Sequence, residues 1–436
     1  VIKFARMAAV MTVLLAGGCM IVTDDGTGPA RPAGTTDASS TVTKSLKDVE
    51  RFWTANFGEI SSGKAFQPVT GGYHPYTEAQ PAPACGGEQP EYQPNAFYCP
   101  DGDYIAWDAQ NLIPQLQENF GPLLVGVVFA HEYGHAVQTR LGTTDQPTVV
   151  LEQQADCFAG AWLADVQAGK STAFRKPTAK ELDNTVAGLL KLRDQPGTSA
   201  AEEGAHGNAF DRIRALQDGV EKGVTTCAAY RSNNIPVTEV PFQDPKDQAN
   251  GGDLSYEDAI HDLSDDAQGY WQQTYPQLTG QTWADLRVLS FDPQSPPDCA
   301  KPDQSAGEAA FACPAENFVA FDGVKLAPNL YRQLGDNAVG MLIGDLFART
   351  AQDRRGASTQ DKAGQLTVDC LAGTWTNSQL QRRPGGNQIT LSPGDLDEAV
   401  GALLAIGRAG DESGPSAFDR IASYRNGVLG GLKACS

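Results

Sequence analysis

Positive charge is scarce in this chain: 33 lysines and arginines stand against 53 aspartates and glutamates, a formal net charge of −20. A folded body of that sign repels nucleic-acid phosphates and an anionic lipid face, so neither is an expected partner of it. Long apolar runs are also missing. The stretch from Met7 to Ala16 is too short to span a bilayer core of roughly 30 Å, and no later segment is long and apolar enough to cross one. Histidine is rarer still, with five residues, so any two of them in register carry information. Cysteine, by contrast, is plentiful at nine. The 436 residues exceed one ordinary core, which makes two domains of about 150 to 200 residues the starting expectation.

Residues 1–18 place Lys3 and Arg6 ahead of the apolar run and close on Gly17 and Gly18 before Cys19. That is the pattern of an export signal, whose peptidase needs narrow side chains beside its cut. The stretch resembles a bacterial lipoprotein signal, which implies cleavage before Cys19 and a lipid on its sulfur. The mature protein would then be anchored to the outer face of the cytoplasmic membrane, in the cell envelope. Residues 19–44 are dominated by Thr, Gly, Ser, Ala, Pro and Asp, cannot bury enough surface to fold, and read as a flexible tether. Setting Cys19 aside leaves eight cysteines, an even set that in an exported chain reads as disulfides.

Laid against itself, the chain repeats. Cys85 and Cys99 match Cys299 and Cys313 with the same separation, YIAWD at Tyr104 to Asp108 falls on FVAFD at Phe318 to Asp322, ADCFAGAW around Cys157 meets VDCLAGTW around Cys370, and AFDRI occurs at both Ala209 and Ala417. Each AFDRI is followed at equal distance by a closing cysteine, Cys227 or Cys435. Two homologous domains are expected, at 45–234 and 256–436, joined by a Pro-, Asp- and Gly-rich linker at 235–255. Four cysteines per copy allow three pairings. The favoured set is Cys85 with Cys99, Cys157 with Cys227, Cys299 with Cys313 and Cys370 with Cys435, because the close pairs flank one loop in both copies. Each copy reads as an N-terminal amphipathic helix, a cysteine-closed loop, one short alternating strand and three or more helices: an α+β, mainly helical fold with a short β-sheet. The strand YIAWD is a candidate edge for pairing with an extended peptide.

One helix, from Gly121-Pro122 to Gly142, is apolar almost throughout and so lies inside its domain. On it, His131-Glu132-Tyr133-Gly134-His135 stacks two imidazoles on one face, where they can share a zinc ion. Glu132 lies roughly 100° round the helix, placed to reach a water on the metal rather than the metal itself, which is the position of a general base. Zinc with three protein ligands keeps a fourth position for water, and the natural reaction is hydrolysis of a peptide bond. The third ligand should come from a neighbouring helix, and Glu152, 17 positions after His135, offers it, with Asp156 on the same face.

Here the chain resembles the glutamate-liganded zincins, and more closely the putative neutral zinc metallopeptidase family, through HEYGHAVQ at His131 to Gln138, EQQADCFAG at Glu152 to Gly160 and FYCP at Phe97 to Pro100. The resemblance implies one zinc on His131, His135 and Glu152, Glu132 as base, and Asp156 orienting a ligand histidine through its second nitrogen. The second copy carries Asp345, Leu346, Arg349 and Gln365 where the first has His131, Glu132, His135 and Glu152, so it reads as a degenerate, non-catalytic domain. His206, matched by Gly414, is a candidate donor to the oxyanion, and Tyr98, matched by Ala312, a weaker one; His74 and His261 belong to no constellation. The expectation is a zinc endopeptidase acting on extracytoplasmic proteins or peptides. Its alternative is an envelope binding or scaffolding protein that retains zinc structurally.

Overall fold

The computed structural model describes residues 38–87, 89, 91–202, 205–300, 309–382, 388–406 and 414–435. The expected export signal, Cys19 and the expected tether up to residue 37 lie outside them. The chain divides into two compact units, residues 1–239 and 240–436.

In the first unit the elements run α1 (Ala38–Ile60), β1 (Gly72–Tyr76), β2 (Ala96–Cys99), β3 (Tyr104–Asp108), α2 (Leu112–Phe120), α3 (Pro122–Leu141), α4 (Thr148–Gln167), α5 (Ala179–Lys191) and α6 (Ala209–Ala228). Helix α1 starts at Ala38, so 38–44 belong to the fold and not to the tether. Its first turns already bury Thr41 and Val42 along with Leu46, Val49 and Trp53, and this apolar stripe offsets the ordering of a Ser- and Thr-rich start.

Three strands form the sheet rather than one, in the order β1-β3-β2. Strand β3 pairs parallel with β1 (Gly72 opposite Tyr104) and antiparallel with β2 (Cys99 opposite Tyr104). YIAWD is therefore the central strand, buried at all five positions. It cannot offer an edge to a peptide, because both rows of its backbone groups are already paired. The edge strands are β1 and β2.

Helix α3 matches its sequence signals at both ends, with Pro122 in the first turn and Gly142 closing it in a left-handed conformation at φ 69°. It packs against α4, and Gly134 permits the approach: a Cβ there would sit 2.8 Å from the Cα of Ala155. Helix α4 packs equally closely on α6, where Gly160 faces the Leu216 carbonyl and Gly219 the Cys157 carbonyl. The Cys157–Cys227 disulfide ties α4 to the last turn of α6, and Cys85–Cys99 closes the loop leading into β2.

The second unit runs α7 (Pro245–Ala249), α8 (Tyr256–Thr279), β4 (Arg287–Phe291), β5 (Ala310–Cys313), β6 (Phe318–Asp322), α9 (Leu326–Gln333), α10 (Asp336–Arg354), α11 (Lys362–Leu380), α12 (Asp395–Ala405) and α13 (Ala417–Gly430). The stretch read as a linker thus carries a helical turn, α7, capped by Asp244. The sheet order is β4-β6-β5, with a parallel and an antiparallel partner for β6 as in the first unit. Its disulfides are Cys299–Cys313 and Cys370–Cys435. No helix among the described residues is long and apolar enough to cross a membrane.

Candidate metal centre

Two adjacent helices bring the predicted ligands together. His131 and His135 are one turn apart on α3, and the close approach at Gly134 sets the first turns of α4 against them. The Nε2 atoms of the two histidines stand 3.2 Å apart, Glu152 Oε2 lies 3.2 Å from His131 Nε2, and Glu152 Oε1 lies 3.4 Å from His135 Nε2. Ligands of a tetrahedral zinc at about 2.0 to 2.2 Å stand about 3.3 to 3.6 Å from one another, so the three side chains fit the ion. Glu152 is 1% exposed, and its carboxylate is met by the inward nitrogens of the two histidines, an arrangement that a cation among the three would favour. Among the described residues, no fourth His, Cys, Asp or Glu joins this group.

The outer nitrogens of both histidines are held. His131 Nδ1 lies 2.8 Å from Asp156 Oδ1, and His135 Nδ1 lies 2.9 Å from Gln138 Oε1, whose amide in turn donates to the Leu151 carbonyl at 2.7 Å. These contacts leave Nε2 of each ring directed inward, as ligation requires. Asp156 is gripped from behind by Arg212, Nε to Oδ2 at 2.9 Å and Nη2 to Oδ1 at 3.0 Å.

The electrostatics favour positive charge between these groups. Burial works against a charge on His131, but Asp156 and then Glu152 outweigh it and carry the imidazole up to about 10. His135 is pushed down by its burial. Glu152 is held far below the usual carboxylate range by His135 and His206 despite its own burial, and Arg212 and His131 hold Asp156 at about 2 against the same penalty.

Glu132 does not join the three. Its Oε2 accepts the backbone N–H of Tyr98 on β2 at 2.9 Å, and burial, with repulsion from Glu152, pushes its carboxyl up to about 7. It shares a cavity of about 450 Å³ with His131, His135, Glu152 and His206. His206 is 7% exposed and sits in the cavity wall rather than on a surface loop. Asp194 fixes it, accepting the backbone N–H groups of His206 and Gly207 at 2.7 Å each and lying 3.3 Å from His206 Nδ1. The Tyr98 hydroxyl is occupied elsewhere, donating to Asp103 at 2.9 Å and receiving a hydrogen bond from Arg140 at 3.2 Å, so its part in the site is its backbone. His74 contacts the Gly71 carbonyl, and His261 lies on the surface beside Asp262; neither approaches the centre.

In the sequence model of the putative neutral zinc metallopeptidase family, the match to this chain runs over residues 12–230, just over half its length and all of the centre. The chain belongs to that family. Zinc is the metal the family implies, and the His131, His135 and Glu152 group is the site that fits it. Two uncharacterized proteins of Mycobacterium tuberculosis and one of Mycobacterium bovis are 29% identical over 163 residues, which is 32% of this chain and 55% of theirs. The chain thus spans about half the length of the curated relatives it matches. No solved structure matches it significantly.

At the positions that the internal alignment sets against this candidate metal centre, the second unit holds ion pairs. Arg349 Nε lies 2.5 Å from Asp345 Oδ2, Arg420 grips Asp369 at 2.8 and 3.1 Å, and the Gln365 amide donates to the Gln360 carbonyl at 2.6 Å. A guanidinium stands among these carboxylates.

Four residues escaped the sequence reading: Arg212, Gln138, Asp194 and Arg140. The first carried a signal in the repeated AFDRI, and the second stood inside the family motif. Asp194 and Arg140 had none, since their partners are remote in sequence.

Proposed function

We propose that the first unit is a zinc-dependent endopeptidase that hydrolyses peptide bonds of extracytoplasmic proteins or peptides. The observation that carries this reading is three facing ligand side chains with no fourth protein ligand among the described residues, next to a separate, tethered carboxylate. Closed structural zinc sites use four protein ligands, whereas hydrolytic sites use three.

His131, His135 and Glu152 would hold one zinc, which when bound supplies Lewis-acid polarisation and a water of pKa near about 7. The Tyr98 N–H fixes Oε2 of Glu132, so Oε1 is the oxygen that takes the proton as water attacks the scissile carbonyl, and the same carboxyl returns it to the departing amine. Asp194 accepts from Nδ1–H of His206, so His206 donates to the oxyanion through Nε2–H when its ring carries both protons. Asp156, backed by Arg212, keeps His131 in the tautomer that presents Nε2. An extended peptide would pair along β2, an edge strand whose residues 96–98 line the cavity and whose Tyr98 N–H is already given to Glu132.

The second unit is, in this reading, a duplicate that lost its metal and kept its frame. Shared sheet order, equivalent disulfides and the Asp369–Arg420 pair support that descent, and Arg349 supplies the positive charge that zinc would supply in the first unit. We place the enzyme on the outer face of the cytoplasmic membrane on the strength of residues 1–19, whose pattern suits export and lipidation.

The test is to incubate the zinc-loaded chain with a diverse peptide mixture and read cut sites by mass spectrometry. Internal cuts that stop when zinc is chelated are expected. An intact mixture would favour a binding or scaffolding protein with a structural zinc.

A further inference from the structure

The second unit holds a cluster of carboxylates that plays no part in the chemistry above. Helices α10 and α12 begin side by side, each with an aspartate in its first position, Asp336 and Asp395. Asn337 links the two starts: its backbone N–H donates to Glu398 Oε2 at 2.9 Å, and its side-chain amide donates to the Asp395 carbonyl at 2.7 Å. The chain before α8 passes alongside, with the Leu254 N–H donating to Asp336 Oδ2 at 2.8 Å. Gly335 makes room, since a Cβ there would lie 2.3 Å from Glu398 Oε1. Asp253, Asp336 and Glu398 each present an oxygen, and these lie within 4.8 Å of one another.

Capping explains half of this arrangement. A carboxylate at a helix start takes a backbone N–H and is favoured by the helix dipole, which accounts for Asp336 Oδ2 and Glu398 Oε2, and for Asp395 Oδ2 on the Ser392 N–H at 2.7 Å. It leaves the other oxygens unexplained. Asp336 Oδ1 and Asp395 Oδ1 have no hydrogen-bond partner, although the two residues are only 5% and 7% exposed. Among the described residues, no lysine, arginine or histidine forms an ion pair with Asp253, Asp336, Asp395 or Glu398, and the charges acting most strongly on Glu398 are Asp395, Asp336 and Asp253. Several buried, mutually repelling carboxylates with orphaned oxygens are a large cost to folding unless something positive sits among them.

We propose that Asp253, Asp336 and Glu398, with Asp395 beside them, form a calcium site in the second unit. All donors are carboxylate oxygens, the choice of a hard cation, whereas zinc would call for nitrogen or sulfur. Donor oxygens within 4.8 Å of one another can all be reached by one cation with metal–oxygen distances of about 2.4 Å. Magnesium keeps several of its waters and is held by one or two carboxylates, whereas three or four converge here, as calcium accepts. The site ties the entry of the second unit to the starts of α10 and α12, so its function is to lock that corner.

The experiment is a calorimetric titration of the zinc-loaded full chain with calcium chloride, repeated with magnesium chloride and on Asp336→Asn and Glu398→Gln. One calcium per chain is expected, with Kd of about 10⁻⁴ to 10⁻³ M, weakened at least about tenfold in each variant, and with magnesium weaker than calcium. Both variants remove like-charge repulsion and keep the capping geometry, so folding is retained; their melting temperatures in chelator should equal or exceed that of the parent. Terbium luminescence sensitised by Tyr331 or Tyr256, whose rings pack 5.4 Å apart beside the cluster, gives a second readout that should fall in parallel. Absence of calcium binding up to about 10 mM, ten times the weak end of that range, overturns the proposal. So does binding unchanged in both variants, or a preference for magnesium.

Discussion

Arg212 and Asp156 meet through two parallel hydrogen bonds, and the same aspartate accepts from His131 at 2.8 Å. Arg420 and Asp369 repeat the grip in the second unit, where Asp345 stands at the position aligned with His131. The ion pair is therefore present in both units, and in the first it also backs the candidate metal centre. Asp156→Asn should weaken zinc binding by about ten- to hundredfold, measured by competition against a chelating dye. Asp369→Asn should lower the melting temperature and leave zinc affinity unchanged. Equal zinc affinity in Asp156→Asn and parent would remove the orienting role.

Glu132→Gln keeps the shape and the acceptor for the Tyr98 N–H but cannot take a proton. Loss of a positioned general base should lower kcat by about 10² to 10⁴ with one zinc still bound. Peptidase assays beside metal analysis decide it, and undiminished turnover would assign the base elsewhere.

Gly134→Ala tests how the ligands are brought together. The added methyl would press on the backbone of Ala155, and overpacking of this kind costs about 1 to 3 kcal/mol. Because α4 carries Glu152, the separation should also weaken zinc. A melting curve and a zinc titration should both shift; an unshifted pair would mean that the helices have slack there.

The acidic corner of the second unit makes its stability depend on pH. Burial, then Asp253, pushes Asp336 up to about 6, and burial raises Asp395 and Glu398 well above their ordinary values. A carboxyl raised in the folded state binds its proton more tightly there than when unfolded. Its contribution is intact below about 4, the unfolded value, and declines as pH climbs to 6 and beyond. In chelator, the melting transition of the second unit should fall over that window, and Asp336→Asn should flatten the fall. A transition that rises from pH 4 to 6 in both proteins would show that other carboxylates dominate.

Much of the centre was legible because its chemistry is local. His131, Glu132 and His135 occupy one turn of a helix bounded by Pro122 and Gly142, and the spacing alone puts both rings on one face. The disulfides could be paired because the repeat cut the choices to three. What failed was non-local. Strand β1 contains Pro75 and lacks alternation, and β2 is four residues ending on a cysteine, so neither announces itself without its partner. YIAWD, buried at all five positions, reads equally as an edge or as an ordinary strand because sequence does not give strand order. The seat of His206 depends on Asp194, which lies 12 residues before it in an irregular stretch.

The most direct test of the zinc centre is anomalous diffraction at the zinc edge from crystals of the metal-loaded chain. One strong peak is expected in the first unit, about 2.0 to 2.2 Å from Nε2 of His131, Nε2 of His135 and the Glu152 carboxylate, with solvent in the fourth position. A peak bound by a fourth side chain, or a second zinc among Asp345, Arg349 and Gln365, would contradict it.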